Sequence, residues 1–354
     1  MILFYIAWPK PNQMHHAERR PLRELDVIGS ILLIAASVLI VFSLQEGGLN
    51  ANAWGTALFI APLIVGCICW TLLFGWEVTV ARFWEGTVAS IFPLRLLKRR
   101  VYMAGVVSAT MIGFPYFVII YSLPIRFQVV NDMSALSAGI GLLPMLGSTA
   151  IGSMLGGLIS GKKNRTFETL LVATCFMCIG TGLLSTLSPT TAAEPKTYGF
   201  EVLAGLGFGL TISTVSMLAA LECDIRDHSV AQGIVAQNRI LGGSIGIAAS
   251  TAILAATQQR QLITPGIISA SQLASLQASA SAFTVSQLEA VRQAYSDAFN
   301  DDMRVCAIIA GVCILATLGT YRRNPPDMQE LRRRQVEEEE KRLGGVGESM
   351  DGKV

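Results

Sequence analysis

Residues 229–256 read SVAQGIVAQNRILGGSIGIAASTAILAA. The run holds one charge, Arg239, and as a helix rising about 1.5 Å per residue it is long enough to cross a hydrocarbon core of about 30 Å. Seven more runs of this kind lie along the chain, at 27–44, 54–76, 101–125, 135–160, 170–187, 198–221 and 305–321. Of the 27 basic and 25 acidic side chains in the 354 residues, only Glu201 and Arg239 fall inside the eight runs. Charged residues make up 15% of the chain, against about 25% in soluble domains, so a water-facing surface of this size could not be covered. The split excludes a soluble enzyme, a disordered chain and a secreted disulfide scaffold. Transmembrane strands would need alternating segments of about ten residues, whereas these runs are continuous and twice that length. The expected fold is all-α, a polytopic bundle of membrane helices.

Loop charges orient such a bundle. The segments before the first run, after the second, fourth and sixth, and after the last hold 21 of the 27 Lys and Arg, among them Arg95, Lys98, Arg99, Arg100, Lys162, Lys163 and Arg165. Both termini are therefore expected on the cytoplasmic side. Residues 257–301 form an external loop whose last part, 286–300, carries Leu288, Val291, Tyr295 and Phe299 at helical spacing, and an interfacial helix is expected there. The tail from Asn324 is charged and reads as solvated. Residues 1–8 are apolar, too short to cross, and closed by Pro9 and Pro11. They read as the last turns of a helix that begins outside this chain.

Few residues could carry chemistry. Seven cysteines avoid the external loops, Cys175 and Cys178 lie mid-membrane without a second pair, and the three histidines are dispersed, so neither a disulfide framework nor a metal site is expected. No P-loop, GxSxG or HExxH motif occurs, which leaves an ATP-driven pump or an intramembrane protease without support. Nothing calls for a cofactor or for nucleic acid. The expected partners are the lipid bilayer and, for a gradient-driven carrier, a small substrate and protons. Small-residue pairs at four-residue spacing, Gly152 and Gly156, Gly157 and Gly161, Gly205 and Gly209, Gly242 and Gly246, are expected to form helix-packing seams. Pro115, Pro124 and Pro144 lie inside runs, where they kink helices.

Intramembrane charges weigh most, because an ionisable group in the bilayer costs a few kcal/mol and needs a partner or a task. Arg239 sits about ten residues into its run and shares a helix face with Gln232; substrate or conformational coupling and a structural bond to a neighbouring helix are both open readings. Glu201 stands about a turn from the external end of its run, where snorkelling to the interface is expected over proton carriage. Gln237, and Gln128 just past the third run, are weaker substrate candidates.

The stretch from Leu123 to Pro144, LPIRFQVVNDMSALSAGIGLLP, resembles the fungal 14-span drug:proton antiporter branch of the major facilitator superfamily, in which a P-x-x-F-Q-x-V…S-x-x-x-A-G…L-P pattern links two helices. YGFEVLAGLGFG from Tyr198 and QNRILGGSIGIA from Gln237 agree with it. The resemblance implies a carrier that exports amphipathic compounds (drug, toxin or siderophore type) in exchange for protons by alternating access, in the plasma membrane as a guess from the family. It divides the chain into a stub and cytoplasmic loop at 1–26, two linker helices at 27–77, a cytoplasmic loop at 78–100, a six-helix C-terminal half at 101–321 and the tail at 322–354. The first six helices of the family, with their loop motif and acidic residues, have no counterpart here. A truncated transporter is therefore one expectation, with the missing N-terminal six-helix half as a possible partner; a non-transporting half-size regulator or assembly partner of full-length carriers is the other. An upstream coding segment for six more spans would separate them.

Overall fold

The computed structural model describes residues 25–49, 55–84, 90–224, 227–269 and 283–323, with isolated positions in 272 and 325–337. Its long helices are α1 (Val27–Leu49), α2 (Ala57–Phe83), α3 (Arg100–Val129), α4 (Leu143–Lys162), α5 (Thr166–Leu184), α6 (Lys196–Glu222), α7 (His228–Gln258) and α8 (Val285–Leu318). Seven, α1 through α7, belong to segments long and apolar enough to cross a membrane. This is an integral multi-pass membrane protein. In α8 the charge-free part begins only at Val305, because Asp301, Asp302 and Arg304 precede it. The expected stub at residues 1–8 and most of the tail lie outside the described residues.

Each boundary has a local cause. α3 runs through Pro115 and Pro124 without a break and stops where Asp132 takes a positive φ of 54°. There the Met133 N–H reaches back to the Phe127 carbonyl at 3.0 Å, closing the helix end. Ser134 then caps the short helix Ala135–Gly141 by accepting from the Ser137 N–H. The run at 135–160 is thus two helices, because Pro144 cannot donate to the preceding turn and starts α4 instead. The interfacial helix expected at 286–300 is no separate element. A capping box between Thr284 and Gln287 starts α8, and its apolar face continues unbroken through Phe299 and Met303 into Cys306 and Ala310.

Helices α3 to α8 form one bundle around α3 and α6, the two most buried. α6 is gripped from both sides. Residues two apart on a helix point about 200° away from each other, so Gly205 and Gly209 face α4 while Gly207 faces α5. A Cβ on Gly209 would overlap the Thr149 carbonyl oxygen, and one on Gly207 would stand 2.7 Å from that of Ala173. Gly152 and Gly156 meet α6 from the α4 side, whereas Gly157 and Gly161 have nothing within 4 Å. Among the described residues the second expected glycine pair on α4 therefore meets no neighbouring helix: one residue further on, the helix has turned by about 100° and faces away from α6. α7 lies on α3 through Gly242 and Gly246, and Gly113 answers them by meeting the Arg239 backbone. The pair α1 and α2 packs on itself and touches the bundle through α1 against α7. Its outer surface carries Ile31, Ile34, Ile64 and Leu72 exposed, as a lipid-facing helix pair requires.

Candidate functional site

Three helices bring Tyr116 of α3, Phe208 of α6 and Arg239 of α7 together near their midpoints. The Tyr116 and Phe208 rings stack at 3.4 Å between centroids and 8° between planes. The Arg239 guanidinium lies over the Phe208 ring at 6.0 Å, a cation–π contact worth about 0.5–2 kcal/mol. Glycine places it there: with no side chain at Gly113 or Gly242, α3 and α7 approach closely enough for Arg239 to reach past α3 to α6. Arg239 is only half-buried, and no carboxylate pairs with it among the described residues. Gln232, a heptad earlier, donates to the Ser216 carbonyl of α6 at 2.6 Å.

The other sequence candidates do not join this stack. Gln237 donates to Ser37 Oγ at 3.0 Å and so faces α1. Gln128 lies inside α3, not beyond it, and donates to the Pro124 carbonyl at 3.2 Å one turn back. Glu201 does not snorkel: it is fully buried, and neither carboxylate oxygen has a hydrogen-bond partner among the described residues. Its stem is too short to turn outward from an inward-facing position near the start of α6, unlike the long stems of Lys and Arg.

Among the described residues six charged groups outside the charge-free runs are buried, Asp26, Glu77, Arg126, Glu222, Asp227 and Asp302, and two of them, Arg126 and Asp302, border one cavity. Arg126, 4% exposed, donates to Ser296 Oγ at 2.9 Å and to the Ser188 carbonyl at 2.7 Å, with its face 5.0 Å from the Phe299 centroid. Asp302, also 4% exposed, accepts from Ser250 Oγ at 2.5 Å. The available signal was periodicity: Val291, Tyr295 and Phe299 extend at helical spacing to Asp302, which places it on the buried face. No cluster of metal-ligating side chains occurs among the described residues. Cys223, at the end of α6, is buried among apolar side chains beside Asp227 and Asp224, and the burial above all pushes its thiol up to about 12, which disfavours the thiolate.

Comparison with known proteins gives this bundle its relatives. The MFS-type transporter FPY5 of Fusarium mangiferae is 30% identical over 91% of this chain and 54% of its own length. The chain is a relative of the fungal MFS-type transporters. The MFS-type efflux pump elcC of Phaeosphaeria nodorum is 31% identical over 65% of the chain and 40% of the pump, and the efflux pump apf11 of Gibberella fujikuroi is 28% identical over 73% and 46%. The chain spans about half the length of the curated MFS-type relatives it matches. Among solved structures, a bacterial homologue of the human lysosomal transporter Spinster, inward-facing and occupied, superposes with a TM-score of 0.52 at 14% identity, over 83% of this chain and 69% of that one. That likeness concerns the fold, which is major-facilitator-like. No family model matches the chain.

Proposed function

We propose that the chain belongs to an MFS-type efflux carrier that exports small amphipathic compounds in exchange for protons by alternating access, from the plasma membrane, with both termini cytoplasmic. The observation that carries this reading is the Tyr116, Phe208 and Arg239 stack. The stacked rings are both buried and hold the half-buried guanidinium in place, and a guanidinium with no acidic partner among the described residues offers donors to an oxygen-bearing group. Carriers of this architecture hold substrate near the midplane, and all three side chains stand at that depth. The names of elcC and apf11, an efflux pump each, support the direction of transport. The exchanged proton needs an acid shielded from water, and the buried Glu201 is the candidate on α6. Gln237, tied to α1, is a weaker candidate and helps seat the leading helix pair.

The test is export of anionic, neutral and cationic fluorescent dyes of similar size from cells expressing the complete open reading frame that contains this chain. Arg239→Ala is expected to abolish export of the preferred dye while surface expression persists. Unchanged export would return Arg239 to a helix-packing role.

A further inference from the structure

A small cavity lies between α3, α7 and α8, away from the aromatic stack and toward the end of the bundle that holds Ser188. It is lined by Tyr121 and Arg126 of α3, Ser250 of α7, and Tyr295, Phe299 and Asp302 of α8. Two buried groups of opposite charge type border it without pairing, since no Arg126–Asp302 contact lies within ion-pair distance. Arg126 spends its donors on Ser296 and Ser188, and Asp302 Oδ2 accepts from Ser250, but Asp302 Oδ1 is buried with no partner among the described residues.

An ionised carboxylate could not rest this way. Leaving one oxygen of a buried anion unpaired is among the most unfavourable arrangements available to a side chain, and a guanidinium across the same cavity would relieve it. The arrangement suits a carboxyl whose Oδ1 carries a proton. We propose that this cavity is a proton-binding site, with Asp302 Oδ1 as the acceptor and Arg126 as the counter-charge that turns toward it when the proton leaves. The proton comes from water and returns to water, and no covalent bond other than O–H changes. Turning Arg126 toward Asp302 releases the Ser188 carbonyl and Ser296, which tie α3 to the segment after α5 and to α8. Loss of the proton is thereby coupled to loosening of this end of the bundle. The other ionisable groups facing the pair are Tyr121 from α3, Tyr295, Asp301 and Cys306 along α8, and Glu194 from the segment before α6; α7 contributes none beyond the Ser250 hydroxyl. Glu194 is held below the usual carboxylate range by its hydrogen bond to Lys196, so it acts on Arg126 as a fixed negative charge. The site deepens the proton-exchange reading, yet its test needs no transported compound.

The full chain, purified into lipid nanodiscs, is titrated with pH while infrared absorption follows the C=O stretch of protonated carboxyl groups. Glu201→Gln removes one other buried acid from the spectrum, and the buried Asp26, Glu77, Glu222 and Asp227 are common to parent and Asp302→Asn and cancel in the difference. The expected result is a component that disappears in Asp302→Asn, fades in the parent as pH rises, and moves in frequency in Ser250→Ala, which keeps the carboxyl and deletes its hydrogen bond. Spectra of parent and Asp302→Asn with no carboxyl difference at any pH would overturn the site. So would a component that never titrates, or one that Ser250→Ala leaves in place. Because Ser250→Ala retains Asp302, a poorly folding Asp302→Asn does not remove the test. Dye export that fails while the infrared site holds would count against the efflux reading alone.

Discussion

At the scale of single residues, Glu201 and Phe208 of α6 make opposite demands. Glu201 is fully buried with neither oxygen bonded among the described residues, and a buried polar group without a partner costs about 1–3 kcal/mol. Glu201→Met, which fills similar volume with apolar atoms, is therefore expected to raise the melting temperature of the purified chain. The same change is expected to remove proton-driven export if Glu201 carries the proton. A lower melting temperature would reveal a hydrogen-bond partner for the carboxyl. Phe208 works by contact: its ring carries the Arg239 guanidinium at 6.0 Å and stacks on Tyr116. Phe208→Leu keeps the packing apolar but deletes the π-face, and a loss of about 1.4 kcal/mol would weaken dye binding about tenfold. Fluorescence titration of dye onto the purified chain measures it, and unaltered affinity would separate the stack from the substrate.

At the scale of elements, the helix seams rest on glycines that differ in what they touch. Gly209 faces the Thr149 carbonyl across the contact between α4 and α6, while Gly157, on the same α4, has open space around it. Gly209→Val must push two backbones apart and is expected to destabilise the chain by about 1–3 kcal/mol, as overpacking does; Gly157→Val is expected to be tolerated. Thermal unfolding of the two variants side by side decides it, and equal melting temperatures would mean the seam is loose. These elements were largely legible in the chain, because long charge-free runs have few alternatives to a membrane helix. What stayed hidden was facing. A four-residue glycine repeat indicates that some side of a helix is smooth without saying whether a partner lies there, so Gly152 with Gly156 and Gly157 with Gly161 looked alike. The candidate site was half legible for the same reason: Arg239 stands out as a lone charge, but Tyr116 and Phe208 are two among many aromatics until α3 and α6 are brought together. Arg126 and Asp302 stayed hidden because they flank charge-free runs, where charge usually means water, while helical phase turns both inward.

At the scale of the whole molecule, the arginine-rich end is held by ion pairs that join distant parts of the chain. Arg322, just past α8, meets Glu222 at the end of α6 at 2.8 Å, and Arg99, before α3, donates to the Glu222 carbonyl. Arg95 meets Asp227 at 2.8 Å, and Arg100 donates to the Tyr321 carbonyl at 2.8 Å. These contacts fasten α3, α6, α7 and α8 into one body at that end, which a half-bundle needs if it is to move as a unit against other helices. Burial ranks the pairs. Glu222 and Asp227 have side chains 8% and 6% exposed and meet arginines that are 39% and 55% exposed, whereas Arg99 and Asp224 stand 3.7 Å apart at 45% and 58%. An exposed pair contributes about 0–1 kcal/mol, screened by salt, and a pair whose carboxylate is buried while its arginine is half exposed lies at or just above the top of that range. Double-mutant cycles in the purified chain are thus expected to give a coupling of about 1–2 kcal/mol for Arg322 with Glu222 and for Arg95 with Asp227, and close to nothing for Arg99 with Asp224. The exchange of Arg322→Glu with Glu222→Arg is expected to recover part of what either single change loses. Equal couplings in all three cycles, or couplings that vanish at moderate salt, would show the end to be held by apolar packing alone.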